Sequence, residues 1–208
     1  MPLLEGDQHR IAVAGGLLLF TVFGIKAAML PVGFWLPKTY AVATTPVAAL
    51  FTIMTKVGIY AILRVNGTVF DDAISREILQ YILLPIGLIT SVYGVIGAMG
   101  AERLRRFIGF MILSSVGTIL IAISLFNTLA WAAALYYLVH STIIAAAFYI
   151  LSGWITSQRG EFKDHFKIAP QMKQHKVVAL TYFTIALMMA GLPPVSYTHL
   201  RAHETEAD

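Results

Sequence analysis

Three ionisable side chains interrupt long apolar runs in this chain: Lys26, Lys56 and His140. All 11 acidic residues fall in loops or in the C-terminal tail, so any ionisable group inside those runs is a base. A lysine at the centre of a bilayer-spanning helix costs about 2.5 to 3.5 kcal/mol to insert, and persists mainly where it faces protein or water and does something. Lys26 lies fifteen residues into the first run, about 22 Å along a helix. Pro31 follows, and its missing N–H and bulky ring deny the carbonyl of Ala27 its helical partner, which predicts a break near Pro31. Discontinuous helices of this kind put polar backbone at membrane depth and line hydrated ion sites. Lys26 is therefore read as an ion-path group, with an amine that snorkels to the membrane surface as the alternative.

Lys56 lies deep in the second run, with Arg64 two turns later marking its end. Desolvation disfavours a charged amine, so a lysine held out of water is suited to releasing and rebinding a proton. The competing reading is a structural hydrogen bond to a neighbouring helix. His140 is midway along the fifth run, with Tyr136, Tyr137, Ser141 and Thr142 around it. By itself it reads as an interhelical hydrogen-bond donor. Beside two lysines it reads as a proton shuttle, because imidazole titrates near neutral pH. Ser114, Ser115 and Thr118 form a polar stripe in the fourth run, read as small residues that let helices pack closely, with water organisation a lesser possibility.

The elements that must position these groups follow from composition. The 208 residues are 58% hydrophobic and 12% charged, with a mean hydropathy of +0.75, whereas soluble domains average roughly 45–50% apolar and 25% charged residues. That excludes an ordinary soluble domain. With no cysteine there is no disulfide framework, thiolate metal site or cysteine nucleophile. The net charge of +4 lies between hydrophobic runs rather than in a patch, which argues against nucleic acid. Gly-rich phosphate loops, paired intramembrane carboxylates, zinc-protease motifs and nucleophile elbows are absent from the sequence. No cofactor and no metal are implied.

A spanning helix needs about 20 mainly apolar residues. Stretches near Ile11–Leu30, Val42–Leu63, Ile78–Met99, Phe107–Phe126 and Leu129–Ile155 qualify, and Val177–Leu192 is a sixth, cut short. Backbone in lipid must satisfy itself internally, and the ten-residue alternation of a barrel is missing, so the expected fold is all-α: a polytopic transmembrane bundle with helices broken near Pro31 and Pro193. Glu5 and Asp7 beside Arg10 exclude the basic start of a secretory signal. Trp35, Trp131 and Trp154 near run ends read as an interfacial belt, and Asn66-Gly67-Thr68 as a turn.

Lys38, Arg103, Arg105, Arg106, Arg159, Lys163, Lys167, Lys173 and Lys176 fall on one side of this bundle, against Arg10, Arg64, Arg76 and Arg201 on the other. Basic loops stay in the cytoplasm, so the N-terminus is expected outside. Residues 1–194 read as the membrane domain. The polar string 195–208 breaks the pattern and reads as an unrelated tail, resembling the translated adapter ends of metagenomic fragments.

The ordered motifs FGIKAAMLPVGFWLP from Phe23, TPVAALFTIMTKVGIYAILR from Thr45, ERLRRFIGFMILSSVG from Glu102, ALYYLVHSTIIAAAFYILSG around His140 and AGLPP from Ala190 resemble the proton-translocating antiporter family. That family comprises the large membrane subunits of respiratory NADH:quinone oxidoreductase and of Mrp-type multisubunit Na+/H+ antiporters. GIKAAMLP with TKVGIYAILR most resembles the Mrp D-type branch. The resemblance implies that Lys26 matches the lysine on the broken helix of the proton half-channel, Lys56 the lysine on the next helix, and His140 the relay histidine. It further implies antiport of protons against Na+ or another monovalent cation, in a hetero-oligomeric complex with other antiporter subunits in a bacterial inner membrane. A proton-pumping subunit of NADH:quinone oxidoreductase or a related hydrogenase is the alternative, and no redox centre lies on this chain in either case.

The departures are specific. The family supplies an intramembrane glutamate from an earlier helix to pair with the lysine at position 26, and this chain has none. After GLPP the family continues into a further charged broken helix, whereas this chain diverges at Val195 or Ser196. The expectation is a fragment of a longer subunit.

Overall fold

The computed structural model describes residues 2–69, 73–168 and 172–190. Among them are seven α-helices: α1 (Pro2–Ala27), α2 (Trp35–Val42), α3 (Thr45–Val69), α4 (Ala73–Met99), α5 (Leu104–Ser124), α6 (Thr128–Arg159) and α7 (His175–Met189), with a 3-10 turn at Gly160–Phe162. The bundle is all-helical, as its composition predicts. Segments of α3 to α6 are long and apolar enough to cross a membrane, while the apolar parts of α1 (Ala14–Ala27) and α7 are shorter. The chain is thus a multi-pass membrane protein. Pro193, the end of the sixth run and the tail 195–208 lie outside the described residues.

Several boundaries differ from the sequence reading: α3 runs on to Val69, past Leu63 and through the Asn66-Gly67-Thr68 read as a turn, and α4 begins at Ala73 rather than Ile78. The first run ends at Ala27 rather than Leu30. Its last turn closes with Ala28 N–H donating to the Ile25 carbonyl and Met29 N–H to the Gly24 carbonyl, both at 3.1 Å, and Ala28 takes φ 58°. This is the paired-bond helix stop normally built on glycine. Val42 belongs to the unanticipated short helix α2 rather than to the second span, because Pro46 has no N–H to offer the Val42 carbonyl and the helix must restart. Pro37, in the first turn of α2, gives up no helical bond there. Finally, α6 runs on to Arg159, four residues past the predicted end. Its start is capped by the Asn127 side chain, which accepts from Leu129 N–H at 3.0 Å.

The break between α1 and α2 is wired into the bundle rather than left open to lipid. Leu30 N–H donates to Thr90 Oγ1 of α4 at 3.1 Å, and that hydroxyl donates in turn to the Ile86 carbonyl at 2.6 Å. Met29, Leu30 and Thr90 are all buried. A membrane interior tolerates irregular backbone only when protein supplies such partners.

Helix α5 is central, with 67% of its spanning residues buried against 28% to 39% in α3, α4 and α6. It packs on α2, α3, α4 and α6, while α1 lies against α3 and α7 against α6. The α4–α5 seam is backbone-close. A side-chain carbon on Gly94 would strike the Ser114 backbone, and one on Gly117 the Ser91 backbone. Small residues are how membrane helices approach this closely, which agrees with the packing role read for Ser114.

Two apolar cores stack along α5. One gathers Leu36, Tyr40, Ile108, Ile112, Phe148 and Tyr149 at the α5 N-terminal end. The other gathers Phe20, Ile59, Ile62, Leu83, Ile119, Ile123 and Ala134 toward its C-terminal end. Polar groups occupy the level between them: Lys56 on α3, Thr90 on α4, Ser115 on α5 and His140 on α6, with the α1 break beside them.

At the α5 N-terminal end, the loop after α6 is fastened to the loop before α5. Arg103 and His165 form a β-bridge. Leu104 N–H donates to the Asp164 carbonyl at 2.9 Å, Phe166 N–H to the Glu102 carbonyl at 3.0 Å, and Arg105 N–H to Asp164 Oδ2 at 3.3 Å. Two of the basic loops grouped from sequence therefore share one end of the molecule.

Candidate functional site

Helix α3 presents Thr52, Thr55, Lys56, Ile59 and Ile62 inward, a helical stripe, while Ile53, Met54, Val57 and Tyr60 face out. Lys56 thus points into the bundle by register, and it is 2% exposed. Its ammonium donates to Ser115 Oγ at 2.5 Å, and Ser115 Oγ donates to the Ile112 carbonyl at 2.7 Å. The bond to α5 that stood as the structural alternative for Lys56 does exist. It is made to a hydroxyl that also faces a cavity.

That cavity, about 30 Å³, lies between α5, α6 and α7 and is lined by Ser114, Ser115, Tyr137, His140 and Ser141 among apolar neighbours including Met188 and Met189. A water needs roughly 10–15 Å³ and two to four polar partners, so this volume and lining can hold one. His140 is half-buried and stacks on Tyr136 with ring centroids 6.1 Å apart and planes 14° off parallel. The hydroxyls of Ser141 and Thr142 both donate to the Leu138 carbonyl. Ser115 is consequently the group shared by the two sequence candidates: bonded to Lys56 on one side and lining the His140 cavity on the other.

Lys26 stands apart from this pair. It occupies the last turn of α1, one residue before the break, on a face that is exposed among the described residues. In this structure its side chain is exposed rather than packed inside the bundle. The reason is that α1 turns its opposite side to α3, where Gly58 admits Ala27: a carbon on Gly58 would lie 2.9 Å from Ala27 N and 3.2 Å from the Phe23 carbonyl oxygen. Lys26 lines a cleft of about 120 Å³ with Trp35, Tyr40, Phe51, Met54 and Thr55. Tyr40 Oη donates to the Phe51 carbonyl at 2.6 Å and lies 2.5 Å from Thr55 Oγ1. Since Thr55 immediately precedes Lys56, the cleft reaches the flank of α3 from which Lys56 points inward.

Sequence reasoning missed Thr90, Thr55 and Tyr40, and it set Ser115 aside as packing. Ser115 carried a signal, a hydroxyl stripe in an apolar run. Thr90 carried little, because one threonine in a membrane helix most often bonds to its own backbone, as Thr90 also does.

The chain matches known proteins along most of its length. Residues 4–201 match the family described as "NADH:quinone oxidoreductase/Mrp antiporter, TM". The D-type subunit of the Na+/H+ antiporter of Bacillus subtilis is 31% identical across 92% of this chain and 38% of its own length. The D-type subunit of a probable K+/H+ antiporter of Rhizobium meliloti is 34% identical across 93% of this chain and 40% of its own. Among solved structures, the Mrp complex from Dietzia sp. DQ12-45-1b contains a chain that superposes with a TM-score of 0.76 at 30% identity, over 87% of this chain and 33% of that one. The chain therefore spans about two fifths of the length of these curated relatives.

Proposed function

Because this chain belongs to the NADH:quinone oxidoreductase/Mrp antiporter transmembrane family, we propose that it forms part of a D-type subunit that exchanges protons for Na+ or another monovalent cation. The observation that carries the proposal is the buried Lys56 amine, bonded to Ser115 and, through it, adjoining the His140 cavity at the level between two apolar cores. An amine and an imidazole are both groups able to give up and take back a proton, and the water-sized cavity lined by His140 reaches the serine bonded to Lys56. Proton movement then runs laterally, from Lys26 through Lys56 to His140. Repulsion between like charges keeps neighbouring sites from being protonated together, which lets charge be driven along the row.

The exposed face of α1 gives Lys26 its place in this scheme. Val22 and Ile25 are exposed beside it, and a lysine on such a face needs protein or water next to it in a bilayer. The expected neighbour is an intramembrane glutamate from another helix of the complete subunit. The family also includes respiratory subunits, but the antiporter names of the relatives favour antiport. The remaining assignments are an inner bacterial membrane, the basic end of the bundle in the cytoplasm, the start of α1 outside, and other antiporter subunits as partners.

The test is cation-driven proton release from inverted vesicles carrying the complete subunit in its complex. Lys26→Ala and Lys56→Ala should each lower the rate by about a hundredfold, the scale on which proton-transfer groups act. Wild-type transport by both variants, with assembly intact, would refute the relay.

A further inference from the structure

We propose that Ser115 is a positioning residue whose hydroxyl connects Lys56 to the His140 cavity and turns with the charge of Lys56. The inference rests on the relay reading above and deepens it.

A serine hydroxyl has one proton to give and two lone pairs with which to accept. In the structure the Ser115 proton is directed to the Ile112 carbonyl at 2.7 Å, and one lone pair takes the Lys56 ammonium at 2.5 Å. The second lone pair remains for the cavity that Ser115 lines with His140. While the hydroxyl points at the Ile112 carbonyl, Ser115 accepts from the charged amine and has only a lone pair to offer the cavity. Once Lys56 is neutral its nitrogen carries a lone pair, and the hydroxyl can leave the Ile112 carbonyl to donate to it.

The burial of both partners gives this alternation its weight. Lys56 is 2% and Ser115 6% exposed, so bulk water does not reach the amine to replace the serine. For a proton to pass, the hydroxyl first rotates from the Ile112 carbonyl towards the cavity. The Lys56 N–H bond then breaks as a new O–H bond forms at Ser115, while the original Ser115 proton passes to a water in the cavity and that water gives one of its own protons to an imidazole nitrogen of His140, ending as neutral water. Lys56 loses one proton, His140 gains one, and Ser115 ends with as many as it began. No oxidant or reductant is required.

Neighbouring hydroxyls on α5 lack this geometry. Thr118 is exposed and donates to the Ser114 carbonyl at 3.1 Å. Ser114 lines the cavity but faces Ser91 of α4 at 3.5 Å.

The experiment measures cation-driven proton flux in H2O and D2O, in vesicles containing the complete subunit within its complex. Ser115→Ala should lower maximal flux by about tenfold or more with the cation concentration for half-maximal rate unchanged. Ser115→Thr, which restores a hydroxyl, should recover most of the rate, and Thr118→Ala should leave it unchanged. Ser115→Cys, a weak donor of similar size, should be slow and show a solvent isotope effect different from the parent, a readout that a packing role would not move. Should Ser115→Ala fail to assemble, Ser115→Cys carries the test alone. Parental flux and isotope effect in Ser115→Ala or Ser115→Cys, with Lys56→Ala inactive, overturns the inference and leaves the relay standing. Parental flux in Lys56→Ala overturns both.

Discussion

The backbone N–H of Leu30 is held by the side-chain hydroxyl of Thr90, 60 residues along the chain, with both residues buried. The contact ties the helix break that carries Lys26 to α4, and so to the central helix α5. Thr90→Val keeps the side-chain shape but leaves this N–H without a partner, at a cost of about 1–3 kcal/mol. Thr90→Ser should lose far less. Thermal unfolding of the detergent-solubilised protein measures the difference, and equal midpoints for the two variants would show that the hydroxyl does not support the break.

Gly58 is the point at which α3 admits the end of α1. An added methyl at this position meets the Ala27 nitrogen and the Phe23 carbonyl, both backbone atoms that cannot swing aside. Gly58→Ala is expected to destabilise the bundle by about 1–3 kcal/mol, the usual range for overpacking. An unchanged unfolding midpoint would mean that α1 can shift without loss.

Asp164 acts as a helix cap supplied from another loop, its carboxylate accepting the Arg105 N–H in the first turn of α5. Asp164→Ala should cost about 1 kcal/mol, as for loss of an N-terminal cap. Asp164→Asn retains an acceptor and should lie nearer the parent. Proteolysis of the segment after α6 offers a local check: faster cleavage in the alanine variant is expected, and parental cleavage would show that the backbone bonds alone hold the loop.

The chain has no cysteine, so single introduced thiols report sidedness without background. Lys163→Cys, in the loop after α6, should react with an impermeant reagent only from the cytoplasmic side. Thr128→Cys, at the opposite end of α5 and α6, should react only from outside. The reverse pattern would invert the orientation argued from the basic loops.

Much of the fold is legible in the sequence because a bilayer imposes one rule on every backbone group. Apolar runs of spanning length must be helical, and α3 to α6 cover four of those runs, although α3 extends six residues past Leu63 and α4 begins five before Ile78. Pro31 marked a break, although the helix stops three residues earlier than expected, because Ala28 adopts a left-handed conformation that alanine gives no reason to anticipate. The short helix α2 was not legible. Its eight residues continue the hydrophobic pattern, and the restart forced by Pro46 shows only when each carbonyl is matched to its donor.

Lys56 and His140 stood out by residue type, since an ionisable group in an apolar helix is costly wherever it points. Sequence alone thus determined the helical class, the level of the polar groups and the bases at that level. It could not determine which of them meet, because helical periodicity fixes the face of a side chain but not the neighbour opposite that face. Only the tertiary arrangement placed Ser115 between Lys56 and the His140 cavity, set Thr90 under the broken backbone, and turned Lys26 outward. Those outcomes depend on how closely α4 and α5 approach through Gly94 and Gly117, and on which side of α1 Gly58 admits. They are properties of helix pairs, which no single segment carries.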